Sequence, residues 1–168
     1  MGRDWADGHA EEDWRRDLDG LFGPRYLLGG RFTLDYGRRR IAVSASPLPG
    51  PIDDALPMID VPEHEGLIVV RGAVNGMPAL LEIDTGKSRT TVDEDLAAEI
   101  GLPAVERGYR IDEVRIGRRS FSVTSAKGVS FRGLSSGLPE PIRLGVGSDI
   151  LSQVVLTVDY PGRVVVVR

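Results

Sequence analysis

Ile83-Asp84-Thr85-Gly86, approached through apolar Ala79-Leu80-Leu81 and followed by Thr90-Thr91-Val92, is the stretch on which the reading of this chain turns. It is a hydrophobic strand that runs into a tight Thr-Gly turn carrying a lone carboxylate, with a second, β-branched strand beyond. Glycine at position 86 suits a close backbone approach and a positive φ in that turn. The next residue is Lys87, a full charge three positions from Asp84. It is not compositional drift, because lysine is scarce here: the basic residues are otherwise arginine, apart from Lys127.

Working outward, the strand has a partner. Residues 67–74 are apolar and β-branched, Asn75-Gly76 is a strong hairpin signal, and residues 79–83 return. After the Asp84 turn comes one good helix: Asp93 as N-cap, Leu96, Ala97 and Ile100 on one face, Gly101 just past its end and Pro103 beyond. Residues 114–116 and 121–123 alternate around Gly117-Arg118-Arg119 as a second hairpin. Residues 130–141 read as loop, and residues 156–158 with 164–167 close the unit.

An internal repeat organises the rest. Residues 21–43 align without gaps to residues 145–167, with identities at Gly23/Gly147, Leu27/Leu151, Thr33/Thr157, Asp35/Asp159, Tyr36/Tyr160, Arg39/Arg163 and Val43/Val167. Each copy reads as a glycine turn, a short helical piece, an apolar strand, an Asp-Tyr turn and a closing strand. Such a unit cannot bury its own apolar face, so each copy is expected to be the tail of a larger lobe. Pro47, Pro49, Pro51, Pro57 and Pro62 crowd the stretch between, as a stiff linker does. The expected organisation is an acidic segment over residues 1–17, the end of a first lobe over 18–43, a proline-rich linker over 44–65 and a complete lobe over 66–168. Trp14, Leu18 and Leu21 have the spacing of a packing stripe on a helix.

Composition excludes several kinds of chemistry. The net charge of −4 sits at the front: residues 1–20 hold seven acids against three arginines, and the remainder balances. No basic stripe for nucleic acid is present, and no apolar run is long enough to span a bilayer. Without cysteine there is no thiol nucleophile and no cysteine-bound zinc. The two histidines, His9 and His64, leave little material for a triad or a histidine metal site. No leader is visible at the front; the chain reads as soluble, cytoplasmic as written and extracytoplasmic if a signal peptide upstream has been lost.

Other motifs fail on context. Gly133-Leu134-Ser135-Ser136-Gly137 lacks the helix and later histidine that a serine-hydrolase elbow needs. Gly86-Lys87-Ser88 lacks the earlier glycine of a phosphate loop, since position 81 is leucine. Glu11-Glu12-Asp13 and Asp53-Asp54 read as solvated acids, not metal ligands, and Arg38-Arg39-Arg40 as charge guarding a strand edge.

The ordered elements resemble the retropepsin-like aspartic peptidases, especially bacterial members with two tandem lobes. The resemblance covers residues 66–168 as a complete lobe and residues 18–43 as the end of another, where Asp19-Gly20-Leu21-Phe22-Gly23 matches the family's Asp-Gly approach. It implies a mainly β fold, a closed β-barrel lobe with one short helix, and an active site formed between two lobes. Asp84 would be one catalytic carboxylate, with Thr85 and Gly86 holding its loop and Thr85 hydrogen-bonding across to the other lobe. The partner would be a homodimer mate or an upstream second lobe, the substrate a polypeptide, with no cofactor and no metal. Residues 103–113 would supply a short substrate-covering flap with Gly108-Tyr109 at its tip. Asp35 and Asp159, in matched hairpin turns, are not dyad candidates.

Three departures stand beside the resemblance: Lys87 where a small neutral residue is usual, the short flap, and residues 143–147, which lack the Asp-Gly approach. An ammonium within ~4–6 Å of Asp84 would favour the charged carboxylate and work against a shared proton; pointing outward it would be a solvated charge. Two functions stay open: an aspartic endopeptidase lobe, or a non-catalytic peptide-binding or pairing module in which Asp84 and Lys87 form a structural ion pair.

Overall fold

A computed structural model describes residues 23, 26–50 and 52–168. The acidic segment, the Trp14-Leu18-Leu21 stripe and most of the Asp19–Gly23 approach lie outside the described residues.

The chain builds two sheets. The first contains β4 (Val69–Val74), β5 (Met77–Ile83), β6 (Thr91–Asp93), β7 (Ala104–Val105), β8 (Gly108–Ile116), β9 (Arg119–Val129) and β10 (Ile142–Val146). Its order is β4-β5-β10-β6-β9-β8-β7, and β4 also pairs with β8, so six strands close into a barrel. The second sheet, in the order β2-β1-β11-β12-β3, contains β1 (Arg31–Asp35), β2 (Arg40–Ser44), β3 (Leu56–Pro57), β11 (Val155–Asp159) and β12 (Val164–Val167).

Local chemistry explains most of the elements. Asn75 and Gly76 take φ of 46° and 82°, the double positive that joins β4 to β5 in a two-residue turn. β5 is buried from Ala79 through Ile83, because it pairs antiparallel with β4 on one edge and parallel with β10 on the other. Helix α1 (Glu94–Glu99) starts where Asp93 accepts from the Leu96 N–H at 3.2 Å. It ends as Gly101 turns to φ 63° and Leu102 N–H returns to the Ala97 carbonyl at 2.9 Å. Helix α2 (Ser148–Leu151) is a single turn, at the helical piece of the second repeat copy.

The two repeat copies meet edge to edge within one sheet. β1 runs antiparallel to β11 with Thr33 opposite Thr157, and the two hydroxyls lie 2.9 Å apart. These threonines are equivalent positions of the repeat, so a local twofold passes between them and relates the hairpin β1–β2 to β11–β12. Their environments differ. Val165 and Val167 are 0% and 9% exposed, packed into the barrel core, whereas their repeat mates Ile41 and Val43 are 72% and 61% exposed. The proline-rich stretch contributes to this sheet: Leu56 and Pro57 extend it as β3 beside β12, and Met58 bridges to Val70. Proline is tolerated there because β3 is an edge strand.

Asp93 also ties the helix to the barrel, taking the Arg143 Nη1 at 2.8 Å and the Phe131 N–H at 3.4 Å while almost fully buried. Asp93→Ala removes a cap and the closer of the two carboxylates on Arg143, leaving Glu99 at 3.2 Å. The expected cost is about 3 kcal/mol, read as a fall in the urea midpoint at unchanged m-value.

Candidate active site

Asp84 leaves the C-terminal end of β5, where its N–H donates to the Val146 carbonyl of β10 at 3.0 Å. Its carboxylate is gripped from two sides. Oδ1 accepts the Gly86 N–H at 2.9 Å, and Oδ2 lies 3.3 Å from the Lys87 ammonium. Gly86 does not adopt positive φ, contrary to the expectation from the turn. Its role is proximity: the N–H must point back at the carboxylate, and a Cβ on Gly86 would stand 3.2 Å from Oδ1.

The loop is strapped to the α2 side of the barrel. Ser148 N–H donates to the Lys87 carbonyl at 2.8 Å, and Ser148 Oγ to the Ser88 carbonyl at 3.1 Å. Asp149 takes the Thr90 N–H and hydroxyl at 3.0 and 2.7 Å. Thr85 is exposed, and its hydroxyl makes no hydrogen bond to the described residues.

Lys87 does not point into solvent. Its Nζ sits 2.6 Å from Glu82 Oε2, closer than to Asp84, and 5.6 Å from the centre of the buried Phe131 ring. Glu82 was not singled out from sequence. The signal was there in hindsight: a carboxylate inside an otherwise apolar strand, two residues before Asp84 and therefore facing the same side. Burial pushes the Glu82 carboxyl above its ordinary 4.5; Lys87 pulls it down, and the charge on Asp84 adds to the rise. Burial also raises the Tyr36 phenol, and the charge on Asp84 adds to it, so a side chain of the first repeat copy lies within electrostatic reach of the site.

The remaining site residues fall as follows. The turn between β7 and β8 is at Glu106–Arg107, so Gly108 and Tyr109 are not its tip but the first residues of β8, opposite Val105 and Ala104. Gly108 has φ 134° and leaves no room for a Cβ against the Ala126 carbonyl; Tyr109 packs on the core. The turn is held down by Arg89, whose Nη2 donates to the Arg107 and Ser125 carbonyls, each at 2.9 Å. Asp35 and Asp159 cap their own turns through the Arg38 and Gly162 N–H groups, both at 2.9 Å. Ser135 Oγ accepts the Ile142 N–H at 2.9 Å, a structural contact.

A mainly β chain with a closed six-strand barrel, an Asp-Thr-Gly turn leaving a buried strand, and a parallel neighbour strapping that turn has a retropepsin-like fold. No family profile matches the chain and no curated protein does. Among solved structures it is similar to a retropepsin-like aspartic protease from Rickettsia conorii, at 15% identity over 63% of this chain and 88% of that one, with a TM-score of 0.42. It is also similar to the retroviral protease-like domain of Ddi1 from Leishmania major, at 15% identity over 61% and 92% of the two chains, with a TM-score of 0.37. No helix among the described residues is long and apolar enough to cross a membrane.

Because the Glu82 carboxyl is raised on folding, the folded state holds its proton more tightly than the unfolded chain does. That stabilisation is complete below 4.5 and is lost as pH climbs through the raised folded value. Urea unfolding at a series of pH values is expected to show the wild type losing stability relative to Glu82→Gln across that window. Parallel curves would remove the assignment.

Proposed function

We propose that this chain is one lobe of an aspartic endopeptidase, in which Asp84 supplies one carboxylate of a dyad and another lobe supplies the second. The observation that carries this reading is the seating of Asp84: part-exposed, at the end of a buried strand, with a backbone N–H on one oxygen and the loop strapped beneath it. A carboxylate so presented can polarise water without any cofactor, provided a second, protonated carboxyl stands near enough to donate to the peptide carbonyl. The free hydroxyl of Thr85 suits a contact to the facing loop. The short β7–β8 hairpin is our candidate for the substrate-covering element, with Glu106–Arg107 at its tip and Gly108 and Tyr109 behind.

Lys87 bears on which partner completes the dyad. Two identical copies would each bring an ammonium to their own Asp84, which favours both carboxylates charged and opposes one shared proton. A different lobe leaves Asp84 as the charged member and its partner as the acid. The internal twofold supports the same choice. Val165 and Val167 are covered by a barrel, while Ile41 and Val43 occupy the equivalent places uncovered. A second copy of this chain has already closed its own barrel over β12. We therefore assign the β2 face to a barrel lacking its own closing hairpin, whether supplied by upstream sequence or by a separate chain.

A non-catalytic pairing module is the second reading, favoured by the Lys87 ion pairs to Asp84 and Glu82. Cleavage of an unfolded protein substrate separates the two, assayed with the partner lobe present. Asp84→Asn is expected to lower kcat/KM by roughly a thousandfold or more, and a statine-type inhibitor to block the remainder. A folded, paired preparation with no Asp84-dependent cleavage from acid to neutral pH rejects the peptidase. For the interface, Ile41→Ser with Val43→Ser should leave the unfolding free energy of this chain within ~0.5 kcal/mol and abolish pairing in analytical ultracentrifugation. Retained pairing excludes the β2 face.

A further inference from the structure

Glu82, Lys87 and Asp84 form a line in which the middle charge is shared unequally. The Glu82 side chain is 5% exposed, Lys87 29% and Asp84 32%, and the ammonium stands closer to the dry carboxylate than to the wetter one. A fourth group completes the cluster. Thr91 Oγ1 is buried and has no hydrogen-bond partner. Gly145 of β10 brings these groups together by having no side chain. A Cβ there would stand 2.6 Å from Thr91 Oγ1, 2.9 Å from Lys87 Nζ and 3.0 Å from Glu82 Oε2. An orphaned buried hydroxyl costs ~1–3 kcal/mol, so a neighbouring state that uses it is close in energy.

We propose that Glu82 is the positioning residue of the site: ionised, it draws Lys87 away from Asp84, and on taking a proton it passes the ammonium to Asp84 and turns to Thr91. The balance is simple. A proton from solvent joins Glu82 Oε2, and the Lys87 N–H to Oε2 bond breaks. The new carboxyl O–H donates to Thr91 Oγ1, and Lys87 closes on Asp84 Oδ2. Lys87 stays protonated throughout.

The surroundings suit this exchange. The charged groups facing Glu82 are Lys87 and Asp84 from the turn and, at longer range, His64 from the segment before β4. From β6 the nearest polar group is the Thr91 hydroxyl, and β10 brings bare Gly145; Asp93 and Arg143, two residues along on the same strands, are paired to each other at 2.8 Å. Burial is the largest influence on Glu82 and leaves its carboxyl above the ordinary value in spite of Lys87, so proton uptake begins at a higher pH than for an exposed glutamate. If the peptidase reading holds, and this clause rests on it, acid closes the Lys87–Asp84 pair, so the active window is bounded on its acid side by Glu82.

Carboxyl-carbon and lysine-nitrogen NMR of the full chain tests the exchange without any cleavage assay. In the wild type, the Lys87 Nζ signal is expected to move with the Glu82 titration. Glu82→Gln should hold that signal at its acid-limit position at every pH. Thr91→Val, by removing the acceptor for the neutral acid, should lower the Glu82 midpoint, and Thr91→Ser should restore it. A Lys87 signal that ignores the Glu82 titration, or a Glu82→Gln variant that keeps the neutral-pH signal, overturns the proposal. Either result leaves the peptidase reading standing, and a lack of cleavage leaves this one standing.

Discussion

β5 is hydrogen-bonded on both edges and buried on both faces, and the site hangs from its C-terminal end. Its parallel edge is the demanding one. A parallel pair cannot be closed by a hairpin, so the chain between β5 and β10 must leave, build β6, α1 and β7–β9, and return. That return brings the Val146 carbonyl to the Asp84 N–H and Ser148 and Asp149 to the following loop. A carboxylate on a free turn would be an ordinary surface acid. Strapped from below, it is held in one orientation at the lip of a barrel.

The electrostatics follow from that position. Glu82 and Asp84 face the same side at different depths, one in the barrel wall and one at its rim. Two carboxylates so close repel, and burial makes the inner one costly. Lys87 relieves both at once from a position that also sets its ammonium 5.6 Å from the centre of the Phe131 ring. The same lysine that departs from the resemblance is thus the nearest countercharge to Glu82.

The second sheet shows how a local twofold can be satisfied on one side only. Matched hairpins pair through matched threonines, yet one set of valines lies under a barrel and its counterpart is exposed. Among the described residues, β2 pairs with β1 and leaves Ile41 and Val43 exposed. Ile41 and Val43, exposed side by side on that strand, are the surface that the proposed partner lobe would cover.

Much of this was legible in the amino-acid order because it is local. Asn75-Gly76 makes its turn, Asp93 and Gly101 bound the helix, and the Thr-x-Asp-Tyr repeat announces two equivalent hairpins, since φ preferences and caps act over a few residues. Gly108-Tyr109 misled for the same reason: glycine suggested a tip, whereas its positive φ serves a close contact with a strand distant in sequence. The sequence by itself thus determined the β4–β5 hairpin, helix α1, the two repeat hairpins, and a carboxylate on a Thr-Gly turn with a lysine beside it, but not β3, β7 or β10. Only the tertiary structure decided where that lysine points. Its nearer partner is set by the depth of Glu82 in the barrel wall, by the bare Cα of Gly145 and by the orphaned hydroxyl of Thr91, contacts between strands that burial and long-range pairing bring together and no local pattern encodes.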